Sequence, residues 1–393
     1  IPHGRYEDLS DEGKGGIGIM SGTSVDGVDV AIISVKGSGE ELSYQQLAFD
    51  TVDIPQDLRK KIFKQFSPAE SSVDKLCSLN FELGQLFALA ARSVVENAGL
   101  RMEDIDFIGS HGQTIYHIPV NQSDAGLVKS TMQIGEASVL AELFQCPVVS
   151  DFRVRDMAAG GEGAPLVPYV DHLLYRSDTE NIALQNIGGI GNVTYLPKGG
   201  SASDVIAFDT GPGNMIMDEA MNILTDGKFL FDKNGELAAK GTINEDILKE
   251  LMAHPYFRLS VPKSTGRELF GAAYTRKLVD KMLVKGLSSE DILATVTMFT
   301  ALTIVDQLGR FLPGGVDTLV VSGGGAYNAT LLRFLKELGG FVVKTQEDLG
   351  FSSESKEAVA FALLANETLF GVPNNVPTAT GAAKQVVLGK VTI

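Results

Sequence analysis

The stretch IGIMSGTSVDGVDVAIISV, residues 17–35, decides how the rest of the chain is read. Two runs rich in β-branched residues, 17–20 and 28–35, flank a small polar segment at 21–27. Asp26-Gly27 closes that segment with a hairpin signal, because glycine tolerates positive φ. A turn alone does not require Ser21, Gly22, Thr23 and Ser24 ahead of it. Small residues expose successive backbone N–H groups and hydroxyls, which together form an anion-binding concavity. Asp26 and Asp29 could hold Mg²⁺ beside a bound phosphate, directly or through water. An ordinary surface hairpin accounts for the same residues, so the case rests on repetition further along.

The repetition is present. Residues 182–196, IALQNIGGIGNVTYL, again read strand, glycine turn, strand. Residues 205–214, VIAFDTGPGN, form a strand that ends by delivering Asp209 into a Gly/Pro turn, ahead of a helix over 215–224. Residues 318–338 read strand, glycine loop, helix, and a strand 341–344 and a helix 356–370 complete the second half. The first half carries a third strand at 42–54, a helix at 56–65, a long helix ending near Gly99 and a buried strand at 105–115. A helix at 137–144 and a strand at 147–150 follow, the strand running into Asp151. A helical stretch covers 289–312, and the tail 385–393 packs back onto the first half. This order predicts a duplicated α/β unit with a cleft between the copies.

A length of 393 residues is in keeping with two domains, and 44% hydrophobic with 21% charged residues describes a folded soluble protein. The net charge of −16 argues against nucleic acid and anionic membrane surfaces as partners. Cys77 and Cys146 show no metal-ligand spacing and read as buried, reduced thiols of a cytoplasmic protein. The most apolar helical run, 292–305, is shorter than the ~18 residues of a membrane span. No secretory signal is visible, and residues 1–16 read as a loose leader. A homodimer is left open.

Four glycine-rich or polar strand ends are expected to converge: Ser21 to Gly27; Gly188, Gly189 and Asn192; Asp209, Gly211, Gly213 and Asn214; and Gly323, Gly324, Gly325 and Asn328. None is a P-loop or a dinucleotide fingerprint. Asp209 can take a proton from water or a hydroxyl and bind metal, or serve as a turn former. Ser110, His111, Gln113 and Thr114 gather hydrogen-bonding side chains at one strand end, as a sugar site needs. Arg153 and Arg155, two apart, could share a face and bind a carboxylate, or cap a helix. Glu357 is metal-linked or suits a helix N-terminus.

Together these residues resemble the anhydro-N-acetylmuramic acid kinase family, within the superfamily of actin, hexokinases and heat-shock chaperone ATPases. The resemblance runs through MSGTSVDGVD (20–29), SHGQT (110–114), QIGEA (133–137), DFRVRDMAAGGEGAPLVP (151–168), NIGGIGNV (186–193), FDTGPGN (208–214), PKSTGRE (262–268), SGGGAYN (322–328) and VPTATGA (376–382). It implies two duplicated ribonuclease H-like, actin-like ATPase domains: an N-terminal lobe at 17–170 completed by the tail 371–393, and a C-terminal lobe at 171–370. It implies ATP-dependent phosphorylation of a 1,6-anhydro sugar, with water opening the bridge as the 6-oxygen takes the γ-phosphoryl group. Asp209 becomes the general base. The loops at 21–26 and 211–214 hold the phosphates, 323–328 lies near the adenosine, and Asp26, Asp209 and Glu357 serve Mg²⁺. Thr114, Arg153 and Arg155 map to the sugar side. Val154 stands where family members acting on the muramic sugar carry a middle arginine, and Gly191 replaces a common alanine. A levoglucosan kinase and an actin-like ATP-binding module without sugar chemistry are the alternatives.

Overall fold

The computed structural model describes residues 13–22, 24–350 and 354–393; Thr23, expected in the first polar turn, lies outside them. The described residues contain strands β1 (Lys14–Ser21), β2 (Gly27–Lys36), β3 (Ser43–Asp53), β4 (Phe107–Ile118), β5 (Ser130–Ile134), β6 (Val148–Ser150), β7 (Ile182–Ile187), β8 (Ile190–Leu196), β9 (Ile206–Pro212), β10 (Thr318–Ser322), β11 (Val342–Thr345) and β12 (Lys390–Thr392). They form two sheets in two units, which among the described residues run over 13–173 with 354–393, and over 174–350.

In the first sheet β3, β2 and β1 form an antiparallel meander, and β4 and then β6 add in parallel to β1. The second sheet repeats this: β9, β8 and β7 are the meander, and β10 and then β11 add in parallel to β7. This shared order is the ribonuclease H-like arrangement expected of duplicated α/β domains. β5 extends the far end of β4, and β12 pairs antiparallel with β6.

Local signals account for most helices. Gln56–Gln65 and Met215–Leu224 begin and end where the amphipathic pattern places them. Helix Ser289–Phe311 starts in a capping box between Ser288 and Asp291. At 23 residues it is long and apolar enough to cross a membrane, so the length argument from residues 292–305 does not hold. Its most apolar window is 72% buried, and its side chains build the core of the second unit with Phe257, Phe270, Leu319 and Val321. Cys146 is buried as expected, but Cys77 is exposed on helix Val73–Asn97.

Helix Lys356–Phe370 differs from its place in the sequence reading, where it closed the second lobe. It belongs to the first unit and packs on β1 and β4. Two glycines explain how close it comes. A Cβ on Gly18 would lie 1.7 Å from the Ala358 carbonyl oxygen, and one on Gly109 would lie 2.1 Å from that of Phe361. The helix backbone rests directly on the strands there. Gly109→Ala should destabilise the protein by about 1–3 kcal/mol, the usual cost of overpacking a tight core. Thermal unfolding measures this, and an unchanged midpoint would show that the helix does not seat so closely.

Candidate active site

Asp209 sits within β9 instead of at a strand end, because the strand continues to Pro212 past a register shift opposite Gly191 and Asn192. Its backbone N–H donates to Lys263 O at 3.0 Å, and its carbonyl accepts from the Tyr256 hydroxyl at 2.6 Å. The carboxylate Oδ2 accepts the Thr265 N–H at 2.9 Å. Burial raises the Asp209 carboxyl above its ordinary range; the Thr265 N–H opposes this, and nearby Glu268 adds to it. A half-buried carboxylate, raised by burial and held by one amide, is suited to accept a proton.

Three of the four expected loops meet in the second unit. β7 and β8 are joined by Gly188-Gly189 alone. The N–H groups of Gly213 and Met215 donate to Gly189 O, and that of Asn214 to Gly188 O. Asn214 Nδ2 donates to Ile187 O at 3.0 Å. Ser322 pairs with Asn186, and Gly323 turns there at φ +76°, where a Cβ would lie 2.6 Å from Asn186 Oδ1. Asn328 caps helix Ala329–Gly339 through the Leu331 N–H, and Asn192 is exposed opposite Asp209. The amides of Gly213, Asn214 and Met215 are thus engaged by the hairpin. Gly191 lies under Thr210: an added Cβ would come within 2.7 Å of Thr210 Oγ1.

In the first unit the fourth loop turns differently from the Asp26-Gly27 signal. Gly27 is already in β2, and the positive φ falls on Val25, at 55°, with its N–H on Gly22 O. A β-branched residue in the left-handed region carries backbone strain. Ser24 Oγ donates to Asp26 Oδ1 at 2.6 Å, and this bond is the main reason the Asp26 carboxyl sits below its usual range. Ser21 is buried and donates to buried Gln113 Oε1, so these two side chains satisfy each other.

His111 and Ser110 face opposite ways, as neighbours on a strand do. His111 packs against Phe361, Ser110 Oγ is buried and unpartnered, and both residues line a cavity of about 550 Å³ with Leu76, Asn80, Gly135 and Lys390. Arg153 Nε donates to His111 Nε2 at 3.0 Å, and Arg153 Nη1 to Gly163 O at 2.8 Å. The accepting Nε2 assigns the proton to Nδ1, which donates to Gly112 O at 2.8 Å. Burial, then the Arg153 charge, push the imidazole down to about 3, so His111 is neutral. Thr114 Oγ1 accepts from Gln133 Nε2 at 3.1 Å.

Arg153 and Arg155 do not share a face. They lie on helix Phe152–Ala158, where a spacing of two turns side chains roughly 200° apart. Arg153 is partly buried against His111, whereas Arg155 is exposed. The helix itself is tied to the tail: Asp156, fully buried, accepts from Asn375 Nδ2 at 2.8 Å, Thr380 Oγ1 at 2.7 Å and the Gly163 N–H at 2.9 Å. Those bonds join two motifs more than 200 residues apart. Glu357 keeps an exposed surface, yet packing around its carboxyl and the charge of Asp29 raise it, while Arg153 and Lys356 pull it back. Asp29 is raised too, chiefly by burial, and accepts from Thr51 Oγ1 at 2.7 Å. Sequence reasoning missed the hold of residues 256–265 on Asp209; the PKSTGRE motif was its only signal.

Two ribonuclease H-like units, one carrying an aspartate in its meander and converging glycine turns, define the actin-like ATPase class. A family model described as anhydro-N-acetylmuramic acid kinase matches residues 15–393. The anhydro-N-acetylmuramic acid kinase of Caldanaerobacter subterraneus subsp. tengcongensis is 52% identical over 381 residues, covering 96% of each chain. That of Clostridioides difficile is 50% identical, covering 96% of this chain and 97% of its own, and that of a Bacillus cereus strain is 49% identical, covering 95% and 98%. The chain belongs to the anhydro-N-acetylmuramic acid kinase family.

His111 gives a pH prediction. The unfolded chain takes up this proton near pH 6.5 and the folded state only near 3, so below pH 6.5 the unfolded state binds more protons and stability falls with pH. The His111 ring ¹⁵N shifts should stay flat between pH 8 and 5. A titration inside that window would show that the ring is not held neutral.

Proposed function

We propose that the chain is an ATP-dependent kinase of 1,6-anhydro-N-acetylmuramic acid, acting in the cytoplasm in recycling of cell-wall sugars. The observation that carries the mechanism is the Asp209 carboxylate, half-buried, with one oxygen on the Thr265 N–H. The other oxygen accepts a proton from water. The water oxygen bonds to the anomeric carbon, the bond from that carbon to the 6-oxygen breaks, and the 6-oxygen takes the γ-phosphoryl group as ADP leaves. The proton ends on Asp209.

In this reading the polar turns at Ser21, Gly22, Thr23, Ser24 and Asp26, at Gly188, Gly189 and Asn192, and at Gly211, Gly213 and Asn214 attend the phosphates. Gly323, Gly324, Gly325 and Asn328 attend the nucleoside. Ser110, His111, Gln113 and Thr114 build the sugar side, His111 by orienting Arg153 and Gln113 by holding Ser21. Among the described residues no three His, Cys, Asp or Glu side chains gather into a metal cage. Phosphate-bound Mg²⁺ needs only one or two carboxylates and water, and ionised Asp26 and the raised pair Asp29 and Glu357 fit that demand. Asp26, Asp209 and Glu357 are proposed to serve it, and the ion would neutralise charge on the transferring phosphoryl group. Exposed Arg155 is the arginine proposed to meet a lactyl carboxylate, because Arg153 is partly buried and two of its donors are fixed on His111 and Gly163.

Asp209→Asn should retain ATP binding by calorimetry and lose turnover by ~10²–10⁴-fold. Turnover close to wild type would remove Asp209 from the role of base. Arg155→Ala should lower kcat/KM for the muramic sugar and leave that for levoglucosan, which has no carboxylate, unchanged. Equal losses on both sugars would take Arg155 out of carboxylate recognition.

A further inference from the structure

The PKSTGRE motif has no part in the proposed chemistry, yet it lies against the residue on which that chemistry depends. Residues 256–265 hold Asp209 at three points: the Tyr256 hydroxyl on its carbonyl, the Lys263 carbonyl on its N–H, and the Thr265 N–H on its carboxylate. Past the short 3-10 turn Pro255–Arg258 the segment has no regular structure and supplies little stiffness of its own, so something must keep it in place. The Lys263 ammonium is placed to do so. It donates to Tyr256 O and Leu259 O within the segment, both at 3.2 Å, and to Gln307 Oε1 on helix Ser289–Phe311. Gln307 is fully buried and donates to Phe257 O at 3.2 Å, which ties the same segment to the helix a second time. The ammonium also lies 4.7 Å from the Tyr256 ring centre and 4.8 Å from that of Phe311.

We infer that Lys263 is a positioning residue for Asp209: its ammonium closes residues 256–265 on themselves and onto Gln307, so that the Thr265 N–H stays on Oδ2 and Oδ1 is aimed at the attacking water. This rests on the reading of Asp209 as general base. Lys263 touches no reacting atom. A cation is the economical choice, because three carbonyl-type oxygens converge there and one ammonium carries three donors. Arginine offers a planar fork in place of three tetrahedral donors and would match the carbonyls only in part.

The test is a double-mutant cycle on the full chain, assayed with ATP and the anhydro sugar. Lys263→Met keeps the aliphatic stem between the two rings and removes the donors. It should lower kcat by about 10²-fold, the cost of misplacing a catalytic group by an ångström, with both KM values within about twofold of wild type. Lys263→Arg should recover part of the loss. In an Asp209→Asn background Lys263→Met should cost nothing further, because the group it positions is already gone. A kcat near wild type in Lys263→Met overturns the inference, as does an equal fractional loss in both backgrounds, which is what mere destabilisation gives. If Lys263→Met does not fold, Gln307→Leu removes one acceptor and should lower kcat several-fold in the wild-type background alone; an unchanged kcat overturns the inference equally. Wild-type turnover in Asp209→Asn alone would sink the base assignment itself. A slow Asp209→Asn beside a fast Lys263→Met sinks only the role of Lys263.

Discussion

In the proposed mechanism the carboxylate that takes a proton from water must be held half out of solvent, and the packing of the second unit around Asp209 meets that demand. Full burial would protonate Asp209, and full exposure would leave it a weak base with no fixed aim. The structure sets the balance with a single amide, that of Thr265, on one oxygen. Everything behind that amide is core: Tyr256 and Phe257 are buried beside Phe270 and Phe299, and Gln307 is buried among them. The aim of one oxygen is thereby coupled to the packing of helix Ser289–Phe311, whose threonines and glutamine supply polar ties on its buried face.

The first unit solves a related problem with charge. Arg153 is costly to bury, and it is accommodated by giving its donors fixed acceptors: a neutral imidazole and a carbonyl. Burial and the guanidinium keep His111 unprotonated, so its Nε2 stays free to accept well into the acid range. The carrier helix is short, seven residues, and has little stability of its own. Asp156 compensates, since a buried carboxylate with three donors ties that helix to Asn375 and Thr380. The two motifs DFRVRD and VPTATG therefore form one knot, and their separation in sequence conceals it.

What could be read in advance was what local physics controls. Helix Met215–Leu224 and the third strand of each meander follow from apolar spacing, and the repeated hairpin-and-crossover order follows from their sequence. Helix Lys356–Phe370 was misassigned for a physical reason. Every residue from Ala358 to Thr368 is buried, so it has no polar face to show which sheet it covers. The only pointers are Gly18 and Gly109, and a glycine in a strand does not name its neighbour. Asp151-Phe-Arg-Val-Arg alternates as a strand would, and only the left-handed Asp151 at φ 54° turns it into a helix start that separates the two arginines. The hold of residues 256–265 on Asp209 spans about fifty positions and has no local signature.

The duplication also shows how one topology is used for two ends. Both meanders begin with a tight hairpin on the strand that accepts the parallel pair, yet the hairpins are not equivalent. In the second unit the carbonyls of Gly188 and Gly189 satisfy the amides of Gly213, Asn214 and Met215, so the start of helix Met215–Leu224 is tied to the hairpin of its own sheet. In the first unit the corresponding turn carries strain at Val25 and presents exposed Ser24 and Asp26, with Ser24 held to the Asp26 carboxylate. A strained, exposed polar turn persists only where the surrounding sheet forces it, and Val25 is fully buried beneath it. The first hairpin therefore leaves its polar side chains open, and the second is tied to the end of the strand that carries Asp209.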